Sequence, residues 1–112
     1  MLVIREAQMQ AFRDALEADF LIRIEAALRR EFPDTIAAMS PDDRHAFIRD
    51  GRKKAEGYSI VTEWDICRFL LYQLRMGCDF DNRSDMAWAG RILNDDRSNK
   101  MDRLDDFYFH GK

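Results

Sequence analysis

Two histidines, His45 and His110, are the only imidazoles in the chain, and acid–base or metal chemistry at neutral pH would start from them. His45 sits among charged neighbours early in a predicted helix, and His110 lies near the end of the sequence. No set of spaced ligands or catalytic partners is visible around either, so both are expected to face solvent. The two cysteines, Cys67 and Cys78, do not form a CxxC pair. Cys67 falls in an apolar helix, where a thiol packs as a small hydrophobe, and Cys78 follows a glycine at a helix end. A bridge between them would require the intervening chain to fold back. No glycine-rich phosphate loop, nucleophile elbow or His-Glu-x-x-His motif occurs. The sequence therefore predicts a protein that is not an enzyme and carries no cofactor or metal.

Three clusters could still recognise something. Alternating carboxylates in Asp79-Phe80-Asp81-Asn82 suggest calcium, but the glycine at the sixth loop position and the glutamate at the twelfth are missing. The better reading is a turn in which Asp and Asn bond backbone N–H groups and Phe80 plugs the turn onto the core. Arg49, Arg52, Lys53 and Lys54 could bind an acidic partner or a phosphate. They would also suit the negative end of a helix dipole with no partner at all. Phe107-Tyr108-Phe109 is dense in the residue types that dominate protein interfaces, and Trp64 is a second candidate. For each of these the competing reading is core packing, and for Trp64 core is the expectation.

Helices must position these groups. Met9, Phe12, Leu16, Phe20, Ile24 and Leu28 recur every three or four residues from about Arg5 to Arg30, which puts them on one core-facing stripe flanked by Leu21. Pro33 ends this helix. At 1.5 Å per residue it would be roughly 40 Å long, more than the width of so small a domain, so one end is expected to project or bend. Ser40-Pro41-Asp42-Asp43 opens a second helix, with cap, proline and acids in favourable places, and Gly57 stops it. Ile36, Met39, Phe47, Ile48, Gly51 and Ala55 give it apolar or small contacts. Thr62-Glu63-Trp64-Asp65 resembles a capping box, and the following helix is apolar on more than one side. It should be the central element, ended by Gly77. A short helix from Asp85 to Leu93 turns Met86, Ala89, Ile92 and Leu93 inward with Trp88 beside them. Met101, Leu104, Phe107 and Tyr108 place a last short helix in residues 94–112, a tail read as mobile or partner-binding. Residues 1–112 thus predict one domain, an all-α bundle of four to five helices with a long N-terminal helix.

Charge narrows the function further. The chain has 18 basic and 21 acidic residues, a net −3, and lacks the basic excess on which phosphate-backbone binding depends. That argues against nucleic acid as a partner. The opening Met1-Leu2-Val3-Ile4-Arg5-Glu6 turns charged at once, and no run reaches the ~20 apolar residues of a membrane span, which predicts a cytoplasmic, reduced protein.

One set of positions resembles a known family. Ile4-Arg5, Gln8-Met9 and Phe12 are followed by Phe32-Pro33, then Ile48, Gly51 and Ala55, the Tyr58-Ser59-Ile60 turn, and Asp65. Gly77-Cys78-Asp79-Phe80-Asp81, Trp88-Ala89 and Ile92-Leu93 complete the pattern, and its best-defined part is the Gly77-to-Asp81 turn with Trp88. The chain so resembles small helical accessory proteins encoded beside spike, PAAR-type and toxin genes of bacterial type VI secretion clusters. It departs from the pattern at Tyr58-Ser59-Ile60, where Tyr-Gly-Ile would be expected. The resemblance spans most of the chain and implies no catalytic residue. It implies an adaptor or chaperone-like protein acting on a secreted effector or spike component. An immunity protein that blocks a cognate toxin is the nearest alternative. A helical DNA-binding regulator using Arg49 to Lys54 is the alternative from another class.

Overall fold

The computed structural model describes residues 6–111, and among these the regular structure is helical throughout. The order is α1 (Glu6–Glu31), α2 (Pro33–Ala38), α3 (Pro41–Gly57), α4 (Glu63–Met76), a 3-10 turn (Ser84–Met86), α5 (Ala87–Leu93) and α6 (Lys100–His110). The all-α class and the long first helix are as the apolar spacing requires. The short helix α2 was not foreseen. Pro33 does end α1, but a residue without an N–H also fits the first position of a new helix, and Ile36 then drops into the core. One turn is too short for a periodic signal.

The predicted caps are present. Ser40 Oγ accepts from the Asp43 amide at 3.1 Å, and Thr62 Oγ1 accepts from the Asp65 amide at 3.2 Å. Gly77 closes α4 with φ of +107°, a conformation that side chains resist. Helix α4 is central, packing on α1, α3 and α6. Ile66, Cys67, Phe69, Leu70, Tyr72 and Gln73 are all buried on it. Helix α3 crosses α4 so closely that a Cβ at Gly51 would stand 2.2 Å from Leu70 Cδ2. Phe80 is the expected plug: it is fully buried, with ring centres 5.3 Å from Phe69 and 5.8 Å from Tyr72.

Helix α1 departs from the expectation of one continuous core stripe. Phe20, Ile24 and Leu28 are buried, but Phe12 is 63% exposed, Leu16 52% and Met9 36%. Three ion pairs mark where the body holds α1. Helix α3 runs antiparallel to α1, with Arg44 on Glu25 at 3.5 Å and Arg52 on Glu17 at 2.7 Å. Helix α4 begins beside Arg23, held by Glu63 at 2.8 Å. No described element covers the apolar residues ahead of Glu17, so residues 6–16 stand out as an arm. The molecule measures 56 × 35 × 20 Å, and its radius of gyration of 16.2 Å exceeds the ~13 Å of a compact chain this long.

Trp64 also contradicts its expected place in the core, being 71% exposed. It stands in the first turn of α4, at the rim of the α1–α4 contact with Arg23, Ala27 and Arg30. Of the residues that carry the family resemblance, Ile4-Arg5 lies outside the described residues. Ser59, at the position of the expected glycine, has φ of +66°. A left-handed backbone of this kind favours glycine over a residue with a side chain.

Candidate protein-binding surface

Helix α6 lies along α4, from Arg68, which meets Asp102, to Arg75, which lies beside Tyr108. Met101 and Leu104 are buried in the core, and Lys100 Nζ donates to the carbonyls of Tyr58 and Leu93, both at 2.7 Å. On α4, Arg68 meets Asp65 at 3.1 Å and Asp102 at 2.8 Å, and it bonds Asp105 through both Nε and a terminal nitrogen. Burial pulls the Arg68 pKa down, but Asp105 and Asp102 outweigh it and hold it above the ordinary guanidinium value. Tyr72 donates to the same Asp105 at 2.7 Å; burial and that bond raise the phenol's pKa.

This docking fixes the orientation of the three tail aromatics. Phe107 is half-buried and stacks on Trp88 with centres 4.6 Å apart and planes 17° apart. Tyr108 meets Tyr72 edge-on at 5.8 Å, and Phe109, 61% exposed, meets Tyr108 at 4.8 Å. The guanidinium of Arg75 lies 5.4 Å from the Tyr108 ring centre, 5.5 Å from Tyr72 and 6.0 Å from Phe109. An open cleft of about 680 Å³ on the other side of Phe107 is lined by Ile92, Arg97, Arg103, Asp106 and His110. Arg97 and Arg103 both bond Asp95, so the cleft's cations are internally matched. Arg75 and Arg91 have no ion-pair partner among the described residues. The outcome is an exposed aromatic ledge with the Arg75 guanidinium laid across it. Arg75 was not singled out by sequence; its signal was its position three residues after Tyr72, on one helical side.

The basic run of α3 does not form one surface. Arg52 is committed to Glu17 and to Glu56 at 3.0 Å, with its guanidinium 4.1 Å over the Phe20 ring. Lys54 points to the Gly77–Asp81 turn, 2.8 Å from Asp81 Oδ1 and 2.9 Å from the Cys78 carbonyl. Arg49 is exposed and reaches only the His45 carbonyl at 3.3 Å, and Lys53 is exposed. Half of the predicted cluster is therefore structural.

The turn itself is a buried clasp. Asp81's carboxylate is fully buried, ion-paired to Lys54 and accepting from the Tyr58 hydroxyl at 2.6 Å. Burial and Asp81 push the Tyr58 phenol up to about 12. Asp79 is exposed while Asp81 faces inward, so the two carboxylates do not converge as a calcium loop needs. Gly90 on α5 abuts the Asp81 carbonyl; a Cβ there would stand 2.9 Å from the oxygen. That approach brings Trp88 to the surface shared with Phe107.

His45 and His110 are exposed on different helices. Burial raises the pKa of the Cys67 thiol, which disfavours thiolate chemistry, and Cys78 is exposed and unbonded. Among the described residues no group of three or more potential ligands could hold a metal, and no helix is long and apolar enough to cross a membrane. Compared with known proteins, the chain matches no family model, no curated sequence and no solved structure.

Proposed function

We propose that this protein is a non-catalytic, protein-binding accessory protein that docks a partner on the ledge of Tyr108, Phe109 and Arg75. The observation that carries the reading is the exposure of two adjacent aromatics on a helix whose orientation is fixed from below. Aromatic side chains and arginine supply most interface hot spots, and a surface that is rigid before binding loses little entropy on association. The family pattern of the Gly77–Asp81 turn and Trp88 supports a particular setting. In that setting the partner is a type VI secretion effector or spike component, and the protein is its cytoplasmic adaptor or chaperone.

The test is co-expression with effector and spike components from the neighbouring genes, followed by binding to the purified proteins. One component is expected to co-purify. Combining Arg75→Glu with Phe109→Ala should weaken that complex at least about tenfold with helicity unchanged. Absence of any neighbouring partner, or equal binding by the variant, rejects the reading. Should a toxin be captured, its activity in the complex distinguishes an immunity protein from a chaperone. A DNA-binding role for α3 is disfavoured by the engagement of Arg52 and Lys54 with carboxylates. It would require a steep loss of DNA affinity with salt.

A further inference from the structure

We infer that the arm, residues 6–16 of α1, pairs antiparallel with the arm of a second copy of this chain. Met9, Phe12 and Leu16 form an exposed stripe at three- and four-residue spacing, the pattern of a two-helix seam. The occupant follows from self-complementarity. When Phe12 sits opposite Met9 of the second copy, its own Met9 sits opposite that copy's Phe12. The same register brings Glu6 beside Arg13 of the second copy, and Arg13 beside its Glu6. Neither Glu6 nor Arg13 has an ion-pair partner among the described residues. Sliding the register by one heptad, with Phe12 opposite Leu16, instead sets Arg13 against Arg13. A parallel pair sets Gln8 across from Arg13 and forms no ion pair. Apolar contacts and opposite charges thus coincide only in the antiparallel arrangement centred between residues 10 and 11.

Space permits it. The ion pairs to the body begin at Glu17, so each body lies beyond the overlap and the two stand at opposite ends of the paired arms. About three turns of helix on each side bury on the order of 1,000 Å² in total, at the low end for a specific interface. The association is therefore a reversible, concentration-dependent one rather than an obligate one. It uses none of the α6 ledge, so it stands or falls apart from the partner reading.

Sedimentation of the full chain from roughly 1 to 500 µM reads the equilibrium. The wild type is expected to pass from monomer to dimer, and Phe12→Glu to raise the dissociation constant at least about 30-fold. Glu6→Arg and Arg13→Glu should each weaken the dimer several-fold, and the double swap should return it to within about twofold of wild type. Circular dichroism checks that the arm stays helical in each. In a Cys78→Ser background, a Met9→Cys chain should cross-link to a Phe12→Cys chain rather than to another Met9→Cys chain. A monomer throughout the range overturns the inference. So does a dimer indifferent to Phe12→Glu, a double swap that fails to restore, or a Met9→Cys chain that cross-links mainly to its own kind.

Discussion

The first half of α1 and the whole of α6 both carry an apolar stripe, yet one stands clear of the body and the other packs along α4. Phe12 and Leu16 repeat the spacing of Met101, Leu104 and Tyr108 closely enough that periodicity treats the two segments alike. Leu104 is completely buried while Leu16 is half exposed. The difference lies in what faces them. Helix α6 meets an apolar side of α4, and the carboxylates of Asp102 and Asp105 find Arg68 and Tyr72 there. The arm faces no described element, and Glu6 and Arg13 find no described counter-charge. Amphipathic spacing decides which stripe of a helix is apolar; the presence of an opposing element decides whether that stripe is dry.

The sharpest check on this contrast is a matched pair of truncations. Leu104→Ala is expected to cost about 2–5 kcal/mol, since it empties a packed site, and Leu16→Ala to stay within about 0.5 kcal/mol. Urea unfolding of dilute, monomeric protein measures both. A similar cost for Leu16 would mean that the arm packs on the body. Removing the charge that anchors α6 comes next. Arg68→Met leaves Asp102 and Asp105 facing each other, half-exposed, for a loss of about 2–3 kcal/mol, read as a shift in denaturant midpoint.

Alkaline pH probes the turn that supports α6. An ordinary phenol ionises near 10, whereas Tyr58 does so at about 12 in the folded state. The fold favours the protonated hydroxyl, so its contribution is complete below pH 10 and is lost as pH rises from 10 through 12. The loss should be about 1–2 kcal/mol after solvent screening. Stability across this window should fall less steeply in Tyr58→Phe than in wild type. The smallest effect is a gain: Ser59→Gly relieves a left-handed φ beside the Lys100 bond and should stabilise by about 0.5–1 kcal/mol in thermal unfolding.

Much of the fold was legible in the sequence because its signals are local. Ser40, Thr62, Gly77 and Phe80 do what their types and positions imply, and the apolar girth of α4 marks it as central. Trp64 and Phe12 were not legible as surface, since burial depends on neighbours distant in sequence. The one usable hint was length, a helix longer than the body it serves. For the candidate surface, the aromatic run in α6 was visible, but Arg75 joins it through tertiary docking. Lys54 and Arg52 read as surface charges because their partners, Asp81 and Glu17, lie 27 and 35 residues away.

The arm also governs how the molecule turns in solution. A molecule 56 Å long and 20 Å thick rotates faster about its long axis than end over end. Amide N–H vectors in a helix lie nearly along its axis. Those of a helix lying along the long axis will therefore report the slow end-over-end tumbling in nuclear relaxation. Helices that cross the long axis will report the faster spin as well.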